Sequence, residues 1–412
     1  MKRDIDILMR QQHADALWIS GAALHNPSMV YFTKGIHVTQ ADLFYRPGQE
    51  PVLFCGPMER DEAAKTGFRL RSYADYDYYA YLKQAQGDVL KAQGLRYQQM
   101  LVDIGLTEGS VVLYGVREFG SFYALLGELQ RLLPDLHFYG DVNDAILLEA
   151  RATKDEEELE HIRQMGMLTT RVVANTQDFL SGHAVRNETL IKPDGSPLTI
   201  GDVKSRINLW LAEYGAENPE DTIFAIGRDA GVPHSSGTPS DPIKLGQTIV
   251  YDIFPCEKGG GYFYDFTRTW CLGYASDEVQ QVYAQVLEVY NTVANELRLG
   301  INPNTLQLRT CELFEANGHE TVRTNPRVTQ GYVHSLGHGV GLDVHEKPWF
   351  SRADDSSNNL RPGSVFTLEP GLYYPEKGYG IRLEDTYYVS QEGKFAKFVD
   401  YPMDLVIPMP AK

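Results

Sequence analysis

Residues 246–270 read GQTIVYDIFPCEKGGGYFYDFTRTW, and both ends of this stretch carry the period-two alternation of a half-buried strand. In the first half, Ile249 and Tyr251 fall on one face, Val250 and Asp252 on the other. In the second, Phe263, Asp265, Thr267 and Thr269 share a face, and Pro255–Gly261 provides the connection. The two runs can therefore pair as an antiparallel hairpin that brings both aspartates onto one surface. They sit among Ile, Val, Phe and Trp, where an unpaired carboxylate is costly to bury. Ligation of a cation would remove that cost.

Three more segments extend the pattern. HSLGHGVGLDVHEKP, residues 334–348, holds His334, His338 and His345, three of the eleven histidines in the chain. Gly337, Gly339 and Gly341 argue for a turning, closely approached backbone rather than a helix. One of these histidines reads as a ligand, the others as proton or hydrogen-bond partners. VFTLEPGLYY places Val365, Thr367 and Glu369 on one face, and GIRLEDTYYV does the same for Arg382, Glu384 and Thr386. In chain order Asp252, Asp265, His338, Glu369 and Glu384 form four carboxylates and one imidazole. Two divalent cations would bring the four carboxylates near neutrality, so the set reads as a two-metal hydrolytic site. Mostly oxygen donors with a single nitrogen suit Mn²⁺, Co²⁺, Fe²⁺ or Zn²⁺.

At 412 residues the chain is too long for one ordinary core, and two domains of unequal size are expected. A net charge of −17 disfavours nucleic acid and anionic membrane surfaces as partners. The start, MKRDIDILMRQQ, has no apolar run that would serve as a signal peptide or membrane span, which makes the cytoplasm the expected location. Cys55, Cys256, Cys271 and Cys311 are widely scattered and read as reduced, half-buried thiols.

Up to about Ile146, ADALWIS, PVLFCG and VVLYG read as strands and FYALLGELQRLLP as a helix closed by Pro134, giving a small α/β domain without a metal-binding cluster. The tyrosine-rich run SYADYDYYAYL reads as surface packing or an interface. A break at Glu149–Lys154 precedes a T-x-x-E capping box, Thr153 and Glu156, opening a long helix with Leu159, Ile162, Met165 and Val172 on one stripe. Gly182–Thr199 reads as a loop before a helix from about Gly201 to Gly215. Ser276 caps a helix reaching Leu299, and Pro303 begins another ending near Gly318. Residues 147–412 thus form an α+β domain in which helices cover a curved sheet.

The order of the five ligands, with YDFTRTW, GHGVGLDVHEKP, TLEPGLY and GIRLEDT around them, resembles the pita-bread metallopeptidases: prolidase, aminopeptidase P and methionine aminopeptidase. The resemblance covers residues 147–412. A preceding domain of 1–146 resembles the creatinase-like N-terminal domain of the prolidase and aminopeptidase P branch, which methionine aminopeptidases lack. The resemblance implies a dinuclear enzyme, with Mn²⁺ as the first choice of metal, in which a metal-bridging hydroxide hydrolyses Xaa-Pro peptide bonds. It implies that Asp252 and Asp265 bind one metal, that Asp265 and Glu384 bridge, and that His338 and Glu369 complete the second site. Glu369 would relay a proton, while His345 and His234 would contact substrate and oxyanion, and His334 would take part in substrate binding from a supporting position behind the ligands. It also implies a homo-oligomer, dimer or larger.

Two departures stand out. Asp252 and Asp265 are thirteen positions apart, more than the family usually shows, with the extra length in CEKGGGYFY. The arginine by which prolidases hold a free substrate carboxylate has two candidates, Arg352 and Arg361, and neither is cleanly in register. Other readings are a hydrolase of the same fold acting on a different amide or organophosphate-like substrate, and a non-catalytic peptide-binding protein.

Overall fold

The computed structural model describes residues 4–351 and 356–409. The chain divides into two compact units, Met1–Ala150 with Gly259–Gly261, and Arg151–Lys258 with Tyr262–Lys412.

The first unit is built on a six-stranded mixed sheet whose spatial order is Arg69–Ser72, Val52–Cys55, Ala41–Tyr45, Ala16–Gly21, Gly109–Gly115, Leu136–Tyr139. Ala16–Gly21 is buried along its whole length, as expected of a central strand covered on both faces. The tyrosine-rich run does not stay at the surface. Tyr73 turns inward and, with Trp18, Ser20 and Tyr97, donates to the buried Asp42 carboxylate, while Tyr79 remains 79% exposed. A carboxylate with four donors explains why tyrosines cluster here.

In the second unit, a four-stranded sheet runs in the order Ile223–Ile226, Thr248–Ile253, Phe266–Leu272, Val406–Ile407. A five-stranded antiparallel sheet runs Glu346–Trp349, His338–Gly339, Val365–Leu368, Asp385–Val389, Phe395–Lys397. A single bridge, Thr267 to Glu384, joins the two, with Glu384 N donating to Thr267 O at 3.0 Å. Helices Glu156–Ser181 and Ile200–Glu213 bury Leu159, Ile162, Val203 and Ile207 against Tyr251, Phe266 and Trp270. Helices Asp277–Asn295 and Pro303–Ala316 bury Val286, Val289, Leu306 and Phe314 against Phe366, Leu368 and Ile381. At about 1.5–3 kcal/mol for each large apolar side chain removed from water, these two layers hold the strands together. Among the described residues no helix is long and apolar enough to cross a membrane.

Several local expectations change. The helix from Glu156 is capped by Asp155 and Glu158, not Thr153 and Glu156. Lys154 N is held by Gly363 O at 2.7 Å, which keeps the chain extended for one residue more and leaves Asp155 at the cap. The stretch 182–199 contains a hairpin, Ala184–Arg186 with Thr189–Ile191, turned by Asn187 and Glu188 at φ 52° and 61°. A glutamate in that second turn position hides the signal, because glycine usually stands there. The helix capped by Ser276 ends at Asn295, since its buried stripe stops at Val293 and Leu299 is half exposed. The connection after Asp252 is not a plain loop: Cys256–Glu257 pairs with Ala216–Glu217. Asp265, Glu369 and Glu384 each lie one residue outside a strand rather than within it.

Candidate metal centre and its cleft

The two aspartates meet because of strand register. Thr248–Ile253 pairs antiparallel with Phe266–Leu272 so that Asp252 stands opposite Thr267. Asp265, two residues before Thr267, lies diagonally across on the same face. The second sheet works likewise: Thr367 stands opposite Thr386, and continuing that register by two places sets Glu369 against Glu384. The bridge between Thr267 and Glu384 then joins the two carboxylate pairs.

The histidine loop is laid against this surface by its glycines. A side chain on Gly337 would overlap the Thr367 carbonyl, and one on Gly339 the Lys347 carbonyl. His338 N donates to Thr367 Oγ1 at 3.2 Å. Its Nδ1 faces Gly339 O at 3.1 Å, so the proton is assigned there and the Nε2 lone pair is left toward Asp265 Oδ2 at 3.5 Å and Glu369 Oε1 at 3.4 Å. Asp265, His338 and Glu384 offer one ligand atom each, all within 4.8 Å of one another.

Burial pushes the Asp265 and Glu384 carboxyls well above the usual range, and the charges of neighbouring acids add to that. Burial raises Glu369 too, while Arg382 works in the other direction. His338 is driven down to about 3 by burial and the nearby His345, which keeps it neutral and able to coordinate. Asp252 Oδ1, Asp265 Oδ1 and Glu384 Oε1 are buried without a hydrogen-bond partner. Orphaned hard oxygens beside an imidazole with a free lone pair fit divalent cations.

His334 is arranged differently. Its Nδ1 faces Ser335 O at 2.7 Å and its Nε2 faces Tyr373 Oη at 2.8 Å, so both nitrogens are engaged. Tyr373 in turn accepts from Arg382 Nη1 at 2.7 Å. This chain holds the Arg382 guanidinium, whose Nη2 pairs with Asp252 Oδ2 at 2.5 Å. Arg382 was legible as a neighbour of Glu384 on one face, yet carried no assigned role. Arg268 was missed as well. Fully buried, it donates to the Glu384 carbonyl at 2.8 Å and pairs with Asp385 at 2.8 Å, fixing the backbone from which Glu384 projects.

All five residues line one cleft of about 470 Å³, together with His234, His334 and His345. His234 and His345 stand exposed at its mouth, and the His345 ring lies 4.1 Å from that of His338. Arg361 is not among the lining residues, and Arg352 lies outside the described residues. The segment bearing His345 is tied down by ion pairs: the buried Glu346 is held by Arg151 at 2.5 Å and by Lys154, and Arg151 also contacts the half-exposed Asp343 at 2.5 Å.

Comparison with known proteins bears on the family and the fold. Residues 160–391, more than half of the chain, match metallopeptidase family M24. An Xaa-Pro dipeptidase of Pyrococcus furiosus is 29% identical over 253 residues, which span 61% of this chain and 64% of that relative, less than two thirds of its length. Among solved structures, an X-Pro aminopeptidase from Thermotoga maritima superposes with a TM-score of 0.75 at 23% identity, covering 97% of this chain and 99% of that one. A prolidase from Pyrococcus horikoshii gives 0.71 at 21% identity, covering 98% and 99%. At these identities the two structures speak for a shared two-domain fold.

Proposed function

The chain belongs to metallopeptidase family M24, and from that premise we propose a metal-dependent peptidase that hydrolyses the bond preceding proline, in dipeptides or at the N-terminus of longer peptides. One observation carries the reading: Asp265, His338 and Glu384 converge with ligand atoms within 4.8 Å of one another, and carboxylate oxygens of Asp252, Asp265 and Glu384 are buried there without a hydrogen-bond partner. The names of the relatives supply the substrate class.

In this reading Asp252, Asp265, His338, Glu369 and Glu384 would together hold two divalent cations, Mn²⁺ for preference, with Asp265 and Glu384 shared between them. When bound, the ions supply Lewis acidity, polarising a carbonyl and acidifying a water. The chain does the rest. Glu369 relays a proton to the leaving nitrogen, which in an Xaa-Pro bond is a secondary amine that must be protonated. His345 and His234, at the mouth, donate hydrogen bonds to the oxygen on which charge develops. His334, with both nitrogens engaged, positions Tyr373 and Arg382 instead of reacting. Four buried free thiols suit a reducing compartment such as the cytoplasm.

The test is metal content and turnover measured together. Wild-type protein should bind Mn²⁺ and hydrolyse Ala-Pro or Ala-Pro-Ala, while Asp265→Asn and Glu384→Gln should lose both properties. Turnover that persists in both variants would remove the proposed centre from the chemistry.

A further inference from the structure

Glu220 stands at the mouth of the same cleft, exposed and without an ion-pair partner among the described residues. Its neighbour Asp221 is committed elsewhere, to Lys204 at 2.5 Å. The turn that presents Glu220 is braced. Asp221 adopts a left-handed φ of 65° and its N–H bonds Asn218 O, while Asn218 Nδ2 reaches Thr222 Oγ1 at 3.0 Å. Glu220 is thus a free carboxylate on a braced turn, close enough to His345 for its charge to act on that imidazole.

Glu220 shares the cleft with the apolar side chains of Phe254, Val344, Trp349 and Phe350. A free carboxylate in a cleft with apolar walls matches a long aliphatic stem ending in a cation, the form of lysine and arginine side chains. The charge balance points the same way. Glu220, Asp221, Asp252, Asp265, Glu369 and Glu384 line the cleft, and Arg382 is the one lysine or arginine among the described lining residues. Asp221 is neutralised by Lys204, and Arg382 with two divalent cations in the centre would offset the four ligand carboxylates, which leaves Glu220 as the lining carboxylate without an ion-pair partner among the described residues.

Resting on the Xaa-Pro reading above, we infer that Glu220 is a specificity-determining residue that selects substrates with a basic residue before the proline. In an Xaa-Pro dipeptide only that residue can carry such a side chain. The competing role, contact with the α-ammonium group, would serve every substrate equally and give no selection.

The experiment compares kcat/KM for Lys-Pro, norleucine-Pro and Ala-Pro in Mn²⁺-loaded wild type, Glu220→Gln and Glu220→Lys, with binding of the first two dipeptides measured by calorimetry. Norleucine has the stem of lysine without its charge. An exposed ion pair predicts a Lys-Pro preference over norleucine-Pro of about three- to five-fold, weakening with salt. The ratio should collapse toward one in Glu220→Gln and invert in Glu220→Lys. A wild-type ratio of one, or an equal loss on all three substrates in the glutamine variant, overturns the inference. If no Xaa-Pro peptide is cleaved, the functional reading fails by itself. The calorimetric comparison then still decides whether Glu220 favours the basic dipeptide, equal affinities counting against it.

Discussion

Arg382 Nη2 lies 2.5 Å from Asp252 Oδ2, both buried at the floor of the cleft. Charge counting alone treats the carboxylates as waiting for cations, but one of them already has a fixed guanidinium. The same arginine donates to Thr267 Oγ1 at 3.3 Å, and Thr267 donates to Glu384 Oε2 at 2.6 Å. Arg382 therefore orients both an aspartate on one sheet and a glutamate at the edge of the other. In metal-free protein, replacing it with methionine leaves Asp252 buried and unpaired, at a cost of about 3–5 kcal/mol. Thermal unfolding of Arg382→Met should fall by several degrees, and the fall should be smaller in Arg382→Lys, which keeps the charge. Equal stability of all three proteins would show that the pair does not hold the floor of the cleft.

Removing metal should destabilise the protein. The folded centre gathers ligands that the unfolded chain scatters, so a bound ion stabilises the folded state by mass action, by about 2.7 kcal/mol when free metal is a hundredfold above Kd. Chelator-treated protein should melt at a lower temperature and recover on adding Mn²⁺ or Co²⁺. In Asp265→Asn the melting temperature should no longer respond to metal. Calorimetric scans with and without chelator measure this without reference to turnover.

Glu346 gives the pH dependence a definite sign. Burial opposes its ionisation, yet Lys154 and Arg151 outweigh that and hold its carboxyl below the usual range. A carboxyl depressed in the folded state contributes stability above its unfolded pKa and loses it as pH falls through the folded value. Acid unfolding should therefore include a contribution from this cluster, and Glu346→Gln should flatten the acid limb of the stability curve while lowering stability at neutral pH. An acid limb unchanged by the substitution would place the sensitivity elsewhere.

His345 follows directly from the segment that this cluster anchors. If it donates to the developing oxyanion, His345→Ala should lower kcat by about 10²–10³-fold with a smaller change in KM. Steady-state kinetics on Ala-Pro separates that from a binding role, in which KM would carry the loss.

Strand alternation and glycine spacing made Asp252, Asp265, His338, Glu369 and Glu384 legible as one group, because period two decides which side chains share a face. What alternation could not show is where each strand stops: Asp265, Glu369 and Glu384 sit just past strand ends, and the bridge from Thr267 to Glu384 spans 117 positions. Arg268, Arg151 and Lys154 were illegible for the same reason. A buried cation is explained only by a partner, and for Arg151 and Lys154 that partner, Glu346, lies 195 and 192 residues away. Local competition accounts for the capping box, where Thr153 and Asp155 both begin a fitting pattern and the contact of Lys154 with Gly363 decides between them.

The most direct test is hydrolysis of Ala-Pro and Ala-Pro-Ala by purified protein, stripped with chelator and reloaded with Mn²⁺ or Co²⁺. The account predicts release of free alanine from at least one of the two, absent after stripping and restored by metal. Protein shown to carry bound metal that releases alanine from neither peptide would contradict it.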